Sequence, residues 1–173
     1  MSAYSAAEPI AGEHQTEEFD CGSRAQIDWL RKHAFQAHRA GTSRVYVVSR
    51  VRTRRVVGYH ALAAGSVERE LAPQRVQRGT GQHPTPVILR SRLGVDLSER
   101  GRGLGQALVK DALQQAAAAG HEVGVRAVLI HAESERAREF YLHLAEFEPS
   151  PTDPLHLFLL MKDLRATIGS DTR

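Results

Sequence analysis

The stretch SERGRGLGQAL, residues 98 to 108, places three glycines and two arginines directly ahead of a segment with helical periodicity. Glycine loses more backbone entropy on folding than any other residue, so such a cluster needs a physical reason. Two are available: a tight strand-to-helix turn, or a backbone that a bulky anion must approach closely. The start of a helix favours an anion, because its first N–H groups have no intrahelical partner and the helix dipole is positive there. A P-loop requires Gly-Lys-Ser/Thr, and Gly105 is followed by Gln106 and Ala107, so that template fails. A dinucleotide fingerprint requires G-x-G-x-x-G, and the third glycine here falls one residue early. The pattern Arg-x-x-Gly-x-Gly is met by Arg100, Gly103 and Gly105.

Other residues able to do chemistry are few. Cys21 is the single cysteine, which excludes an internal disulfide framework and a cysteine-rich zinc site; no metal centre is expected. Tyr141 lies with Ala137, Phe140 and Leu144 on one face of a helical repeat, a spacing that by itself means a core tyrosine more often than a catalytic one. His131, Glu133, Asp96 and Glu99 fall near strand ends and are the candidates for a general base.

Charge is unevenly distributed. Residues 31–92 hold thirteen Lys and Arg against Glu68 and Glu70, a net +11, whereas residues 1–30 hold Arg24 against six acids. A segment so poor in acids points to a polyanionic partner, with a solvated sheet edge as the plainer alternative. Arg31, Lys32, Arg75, Arg78, Arg90 and Arg92 are the foremost candidates for phosphate contacts, the last two because their strand leads to the glycine loop.

The elements that must position these groups follow from periodicity. Residues 1–17 are expected as a flexible N-terminal tail, and 166–173 as a C-terminal tail, around a single domain over 18–165. Ser23 caps a helix carrying Ile27, Leu30, Ala34 and Ala37 and closed by Gly41. RVYVVSRV and RRVVGYHALAAGSVE predict two strands, PQRV a short helix, and PVILRSRLGVDL a strand running into the glycines. Gly94 within that last strand marks a bulge or a close approach by another group. Leu104 to about Ala119 predicts a long helix, AVLIHA a buried strand, SERAREFYLHL a helix and LHLFLLMKDL a final strand. The class is mixed α/β, with hairpins first and crossovers later. No apolar run reaches the roughly 20 residues of a membrane span. The N-terminus lacks the basic start and apolar core of a signal peptide, so a cytoplasmic location is expected.

With these elements in place, the chain resembles the GNAT acyltransferases, whose pyrophosphate loop carries Arg-x-x-Gly-x-Gly between a bulged strand and a long helix. FDCG…WL, RVYVV, VVGYHAL, RLGVD, RGLGQALVKDAL, AREFY and LFLLMKDL extend the resemblance from Phe19 to Leu164. They narrow it to the GNAT toxins of toxin–antitoxin pairs. The resemblance implies a central, mostly antiparallel sheet with a bulged strand before the loop and helices on both faces. It implies that acetyl-CoA is held by Leu93, Gly94, Val95, Arg100, Gly101, Arg102, Gly103, Leu104, Gly105 and Gln106. It implies that Tyr141 protonates the departing thiolate, and that the α-amino group of aminoacyl-tRNA receives the acetyl group. A homodimer and a ribbon-helix-helix antitoxin are the implied partners. One departure stands out: FYLHLAEFEPSP has Ala145-Glu146-Phe147 where the branch has Gly-Phe. A GNAT enzyme acting on a small amine or a protein lysine is the nearer alternative. A non-enzymatic nucleic-acid-binding module is the more distant one, and few stacking aromatics or helix-turn-helix signals support it.

Overall fold

The computed structural model describes residues 2–170. In chain order the elements are β1 (Glu8–Pro9), α1 (Arg24–Lys32), α2 (Ala34–Ala40), β2 (Arg44–Ser49), β3 (Val56–Val67), α3 (Gln74–Gln77), β4 (Thr85–Val95), α4 (Leu104–Glu122), β5 (Ala127–His131), α5 (Glu135–Leu144), β6 (Glu148–Pro149), β7 (His156–Leu160) and α6 (Met161–Ser170). The strand order is β1-β2-β3-β4-β5-β7-β6. β4 and β5 pair in parallel; β1–β2, β2–β3, β5–β7 and β6–β7 pair antiparallel. Two compact units make up the chain: Met1–Ala63 with Ser91–Ala112, and Ala64–Arg90 with Leu113–Arg173.

In the first unit, Phe19, Ile27, Leu30, Val45, Val47 and Tyr59 form one buried cluster, and Val48, Val57, Leu104 and Leu108 form another. Ser23 caps α1 by accepting from the Gln26 N–H, which is worth about 1 kcal/mol. The expected single helix is two, broken at His33 and closed by Gly41 at φ 78°. Gly94 is a point of close approach: an added Cβ would lie 3.3 Å from Phe19, Tyr59 and Cys21. A Cβ at Gly58 would lie 2.9 Å from the Leu108 side chain, so β3 is thinned where α4 crosses it.

Residues 2–17 do not form the loose tail expected. β1 adds to the edge of β2, with Glu8 opposite Val47 and Pro9 opposite Tyr46, and Ile10 is buried. Proline tolerates an edge position because no partner needs its missing N–H. A two-residue strand has too few positions to show a period, which hid it in the sequence.

In the second unit, Val67, Val76, Val87, Ala127, Leu129, Phe158 and Leu160 make the core. The final strand is shorter than expected, ending at Leu160, where α6 begins. Met161 and Leu164 are buried three residues apart, a helical spacing, and Asp163 stands in the first turn, where the dipole favours an acid. The helix takes in most of the expected C-terminal tail; residues 171–173 lie outside the described residues.

Candidate active site

The glycine loop is anchored from both sides within the first unit. Asp96 accepts from the N–H of Ser98 at 3.0 Å, from its hydroxyl at 2.7 Å and from the Asp20 N–H at 3.1 Å. Glu99, 3 % exposed, accepts from the Tyr4 hydroxyl and the Arg50 guanidinium and faces Arg102 at 3.2 Å. Burial alone would push both carboxyls up, but these hydrogen bonds and the neighbouring arginines bring both below their usual values. Asp96 and Glu99 therefore build the turn and are withdrawn as candidate bases.

Arg100 donates to the Cys21 carbonyl at 2.9 Å, and Arg102 donates to the Tyr4 hydroxyl at 2.9 Å. Between and beyond them, Gly101 and Gly103 each adopt φ 80°, the left-handed region that favours glycine. No protein atom lies within 4 Å of a Cβ built on either residue, so packing does not demand these glycines and the space before them is open. The Ala107 N–H bonds to the Gly103 carbonyl, which makes Gly103 the residue that caps α4. The N–H groups of Gly103, Leu104, Gly105 and Gln106 are then the four that a helix start leaves unpartnered. Four donors beside an open space fit a pyrophosphate. Leu93 and Val95 pack against the Leu104–Leu108 cluster behind the loop.

Tyr141 belongs to the second unit, on α5, where Ser134 caps the helix by accepting from the Ala137 N–H. The tyrosine is 5 % exposed. Phe147 meets its ring edge-on at 6.2 Å, and the Arg90 guanidinium lies 4.9 Å from its centroid. The Ala145-Glu146-Phe147 departure thus supplies packing for Tyr141. Ala145 is extended, at φ −160°, and needs no glycine. Burial pushes the Tyr141 phenol up while Arg90 pulls it down, so at neutral pH it holds its proton and suits an acid. His131 stacks on His156 at 4.0 Å; burial, His156 and Arg90 push it down, leaving it a neutral proton acceptor at pH 7. Glu133 is exposed at the start of this segment.

The cationic stretch looks different once folded. Arg50 pairs with Glu99, Arg54 with Glu8 and Glu13, Arg55 with Glu18 and Asp96, and Arg75 with Glu148 and Asp163. Much of the +11 is therefore met by acids from elsewhere in the chain. Two of the six phosphate candidates are engaged within the chain. Arg75 is held by its two carboxylates, and Arg90 is buried against Tyr141. Arg31, Lys32 and Arg78 remain exposed, and Arg92 stacks over Trp29 at 5.2 Å. Arg31 donates to the Thr16 and Phe19 carbonyls and faces no acid among the described residues, while Lys32 lies 3.9 Å from Asp28. Sequence reasoning missed Tyr4, a loop anchor 95 residues from its acceptor. The true place of Arg90 had a signal: a lone charge inside the otherwise apolar VILR run of a strand buried in a sheet.

The acetyltransferase (GNAT) family model matches residues 9–147, most of the chain. The chain belongs to the GNAT acetyltransferase family. Its sheet is the mostly antiparallel seven-stranded sheet of that fold. This GNAT chain is 50% identical over 169 residues to the tRNA-acetylating toxin of Mycobacterium tuberculosis, across 98% of this chain and 99% of that relative. A solved structure of AtaT complexed with acetyl-methionyl-tRNAfMet is similar at TM-score 0.85 and 27% identity, covering 95% of this chain and 99% of that one. A second solved structure holds an AtaT variant bound to the C-terminus of the antitoxin AtaR and acetyl-CoA. It is similar at TM-score 0.78 and 26% identity, covering 96% of this chain and 99% of that one. Among the described residues, no helix is long and apolar enough to cross a membrane, and no cluster of side chains could hold a metal ion.

Proposed function

We propose that this GNAT enzyme is a toxin that transfers the acetyl group of acetyl-CoA to the α-amino group of aminoacyl-tRNA. The observation that carries the proposal is half identity, over nearly the whole chain, with a relative named for acetylating tRNA. The loop and Tyr141 supply the chemistry. The N–H groups of Gly103 to Gln106, with Arg100, Gly101 and Arg102 beside them and the Leu93-Gly94-Val95 edge behind, hold acetyl-CoA. Bound acetyl-CoA supplies the acetyl group as a thioester whose sulfur leaves as a thiolate. The Tyr141 hydroxyl donates its proton to that sulfur.

Little is asked of a base. An α-amino group has a pKa of roughly 7.7–8.0, so about a tenth or more is neutral at pH 7. A lysine near 10.4 is neutral in about one molecule in 2,500. With Asp96 and Glu99 committed to the loop, the site suits an α-amine better than a lysine. His131 and Glu133 are the remaining acceptors for the proton that nitrogen releases.

Arg31, Lys32, Arg78 and Arg92 bind the phosphates of tRNA in this proposal. Affinity should fall steeply with salt, and Lys32→Ala with Arg78→Ala should flatten the slope of log K against log salt by about 1.5 to 2. An unchanged slope in filter binding would remove both residues from the interface. Arg75→Ala should lower stability instead, since it strands Glu148 and Asp163.

Acetylating the α-amine removes the nucleophile of peptide-bond formation, so the activity must be masked in its own cytoplasm. The partners proposed are a second copy in a homodimer and a ribbon-helix-helix antitoxin whose tail covers the cationic surface. The reading is tested by incubating the protein with acetyl-CoA and a charged tRNA pool and searching for N-acetyl-aminoacyl products by mass spectrometry. The chain is also induced in a bacterial host. Product formation with growth arrest is expected. Normal growth with soluble, acetyl-CoA-turning protein would leave a GNAT enzyme acting on another amine.

A further inference from the structure

We propose that Arg90 is a positioning residue for acetyl transfer: its guanidinium, stacked on the Tyr141 ring, holds the phenol in place and stabilises the phenolate left when Tyr141 gives up its proton. This rests on the reading of Tyr141 as the acid.

Arg90 lies on β4 opposite Ile130 of β5 and is 6 % exposed. Its Nε has no hydrogen-bond partner among the described residues. Burying a guanidinium is costly unless other groups compensate, and what faces this one is Tyr141, its ring 4.9 Å away and its hydroxyl within hydrogen-bonding reach, with the Glu133 carboxylate acting from further off. Such a cation contributes little to packing that a methionine would not, so its charge needs another use.

The transfer step provides one. The amine nitrogen attacks the acetyl carbonyl carbon; the C–N bond forms and the C–S bond breaks, its electron pair going to sulfur. The Tyr141 proton passes to that sulfur, giving a thiol and a phenolate. The proton shed by the acylated nitrogen passes to His131 or Glu133 and from there, through solvent, restores the phenol. For the life of the phenolate, Tyr141 carries a negative charge in a buried place, and the fixed cation over its ring offsets the cost. The charge balance around the ring agrees with this. Burial holds the phenol up, Arg90 is the group that pulls it down, and the Glu133 carboxylate pushes it up. His131 on β5 is held down partly by the same guanidinium, beside His156 on β7 and near Asp153.

The test uses Arg90→Met and Arg90→Lys, each alone and combined with Tyr141→Phe. In protein without substrates, the ζ-carbon resonance of labelled tyrosine reports phenolate formation, with Tyr141 assigned by its loss in Tyr141→Phe. Arg90→Met should raise the Tyr141 midpoint by about one pH unit or more, a tenfold change in acidity, and Arg90→Lys should restore part of it. With acetyl-CoA and charged tRNA, Arg90→Met should lose about ten- to a hundredfold of kcat at unchanged KM for acetyl-CoA. It should lose nothing further in the Tyr141→Phe background. An unmoved midpoint, or equal losses in both backgrounds, would overturn the proposal and make Arg90 packing alone. Unaltered kcat in Tyr141→Phe would instead overturn the acid reading, and this proposal with it. If Arg90→Met does not fold, Arg90→Gln serves in its place with the same outcomes.

Discussion

Tyr141→Phe should retain acetyl-CoA affinity and lose between about 10²- and 10⁴-fold of kcat, the usual contribution of a general acid. The substitution removes one oxygen and keeps the ring, so the edge contact with Phe147 and the stack under Arg90 remain. The hydrogen bond that buried Arg90 donates to that oxygen is lost, so stability should fall by about 1–3 kcal/mol without unfolding the protein. In the proposed role the hydroxyl acts only as the C–S bond breaks, so the loss belongs to the transition state and is expected in kcat rather than in binding. Steady-state kinetics with charged tRNA, beside calorimetric titration of acetyl-CoA, check both halves. An unaltered kcat would return Tyr141 to the plain core role that its helical spacing favours.

A comparable loss is expected in binding at the loop. Gly103→Val should weaken acetyl-CoA binding by a hundredfold or more while the protein stays folded, as judged by circular dichroism and calorimetry. Gly103 stands at φ 80°, where a side-chain-bearing residue costs roughly 1–2 kcal/mol and a β-branched one more. A Cβ at Gly103 has no atom within 4 Å beyond its chain neighbours, so the fold can absorb that cost. It would instead stand in the open space before the N–H groups of Gly103 to Gln106, where the proposed pyrophosphate site lies. Folded Gly103→Val protein with undiminished affinity would refute the assignment of the loop.

How well each part of the site could be read in advance follows the distance over which its forces act. The turn at Gly101–Gly105 and the helix start at Leu104 depend on hydrogen bonds within four residues, and both stand where the glycine pattern put them. The face of Ala137, Phe140, Tyr141 and Leu144 likewise belongs to one helix, α5. β1 and α6 were missed because one is too short to show a period, and the other continues an apolar strand without a break.

The cations show where such reading ends. A run of thirteen Lys and Arg against two acids is a fact of the sequence, and the avoidance of acids in that segment is real. Whether a given cation faces solvent depends on which distant segment folds against it. Arg50 finds Glu99 49 positions later, and Arg75 finds Asp163 after 88. Arg90 is turned inward because its position in a sheet strand is covered by α5. By itself, then, the sequence determined the glycine loop, the helix it opens and the helical face of α5 that carries Tyr141, because local hydrogen bonding and periodicity are written in neighbouring residues. Only the tertiary structure decided which arginines remain exposed, which acids are spent holding the loop, and that Arg90 packs on Tyr141. Burial and charge pairing act through space, between residues the chain brings together only when it folds.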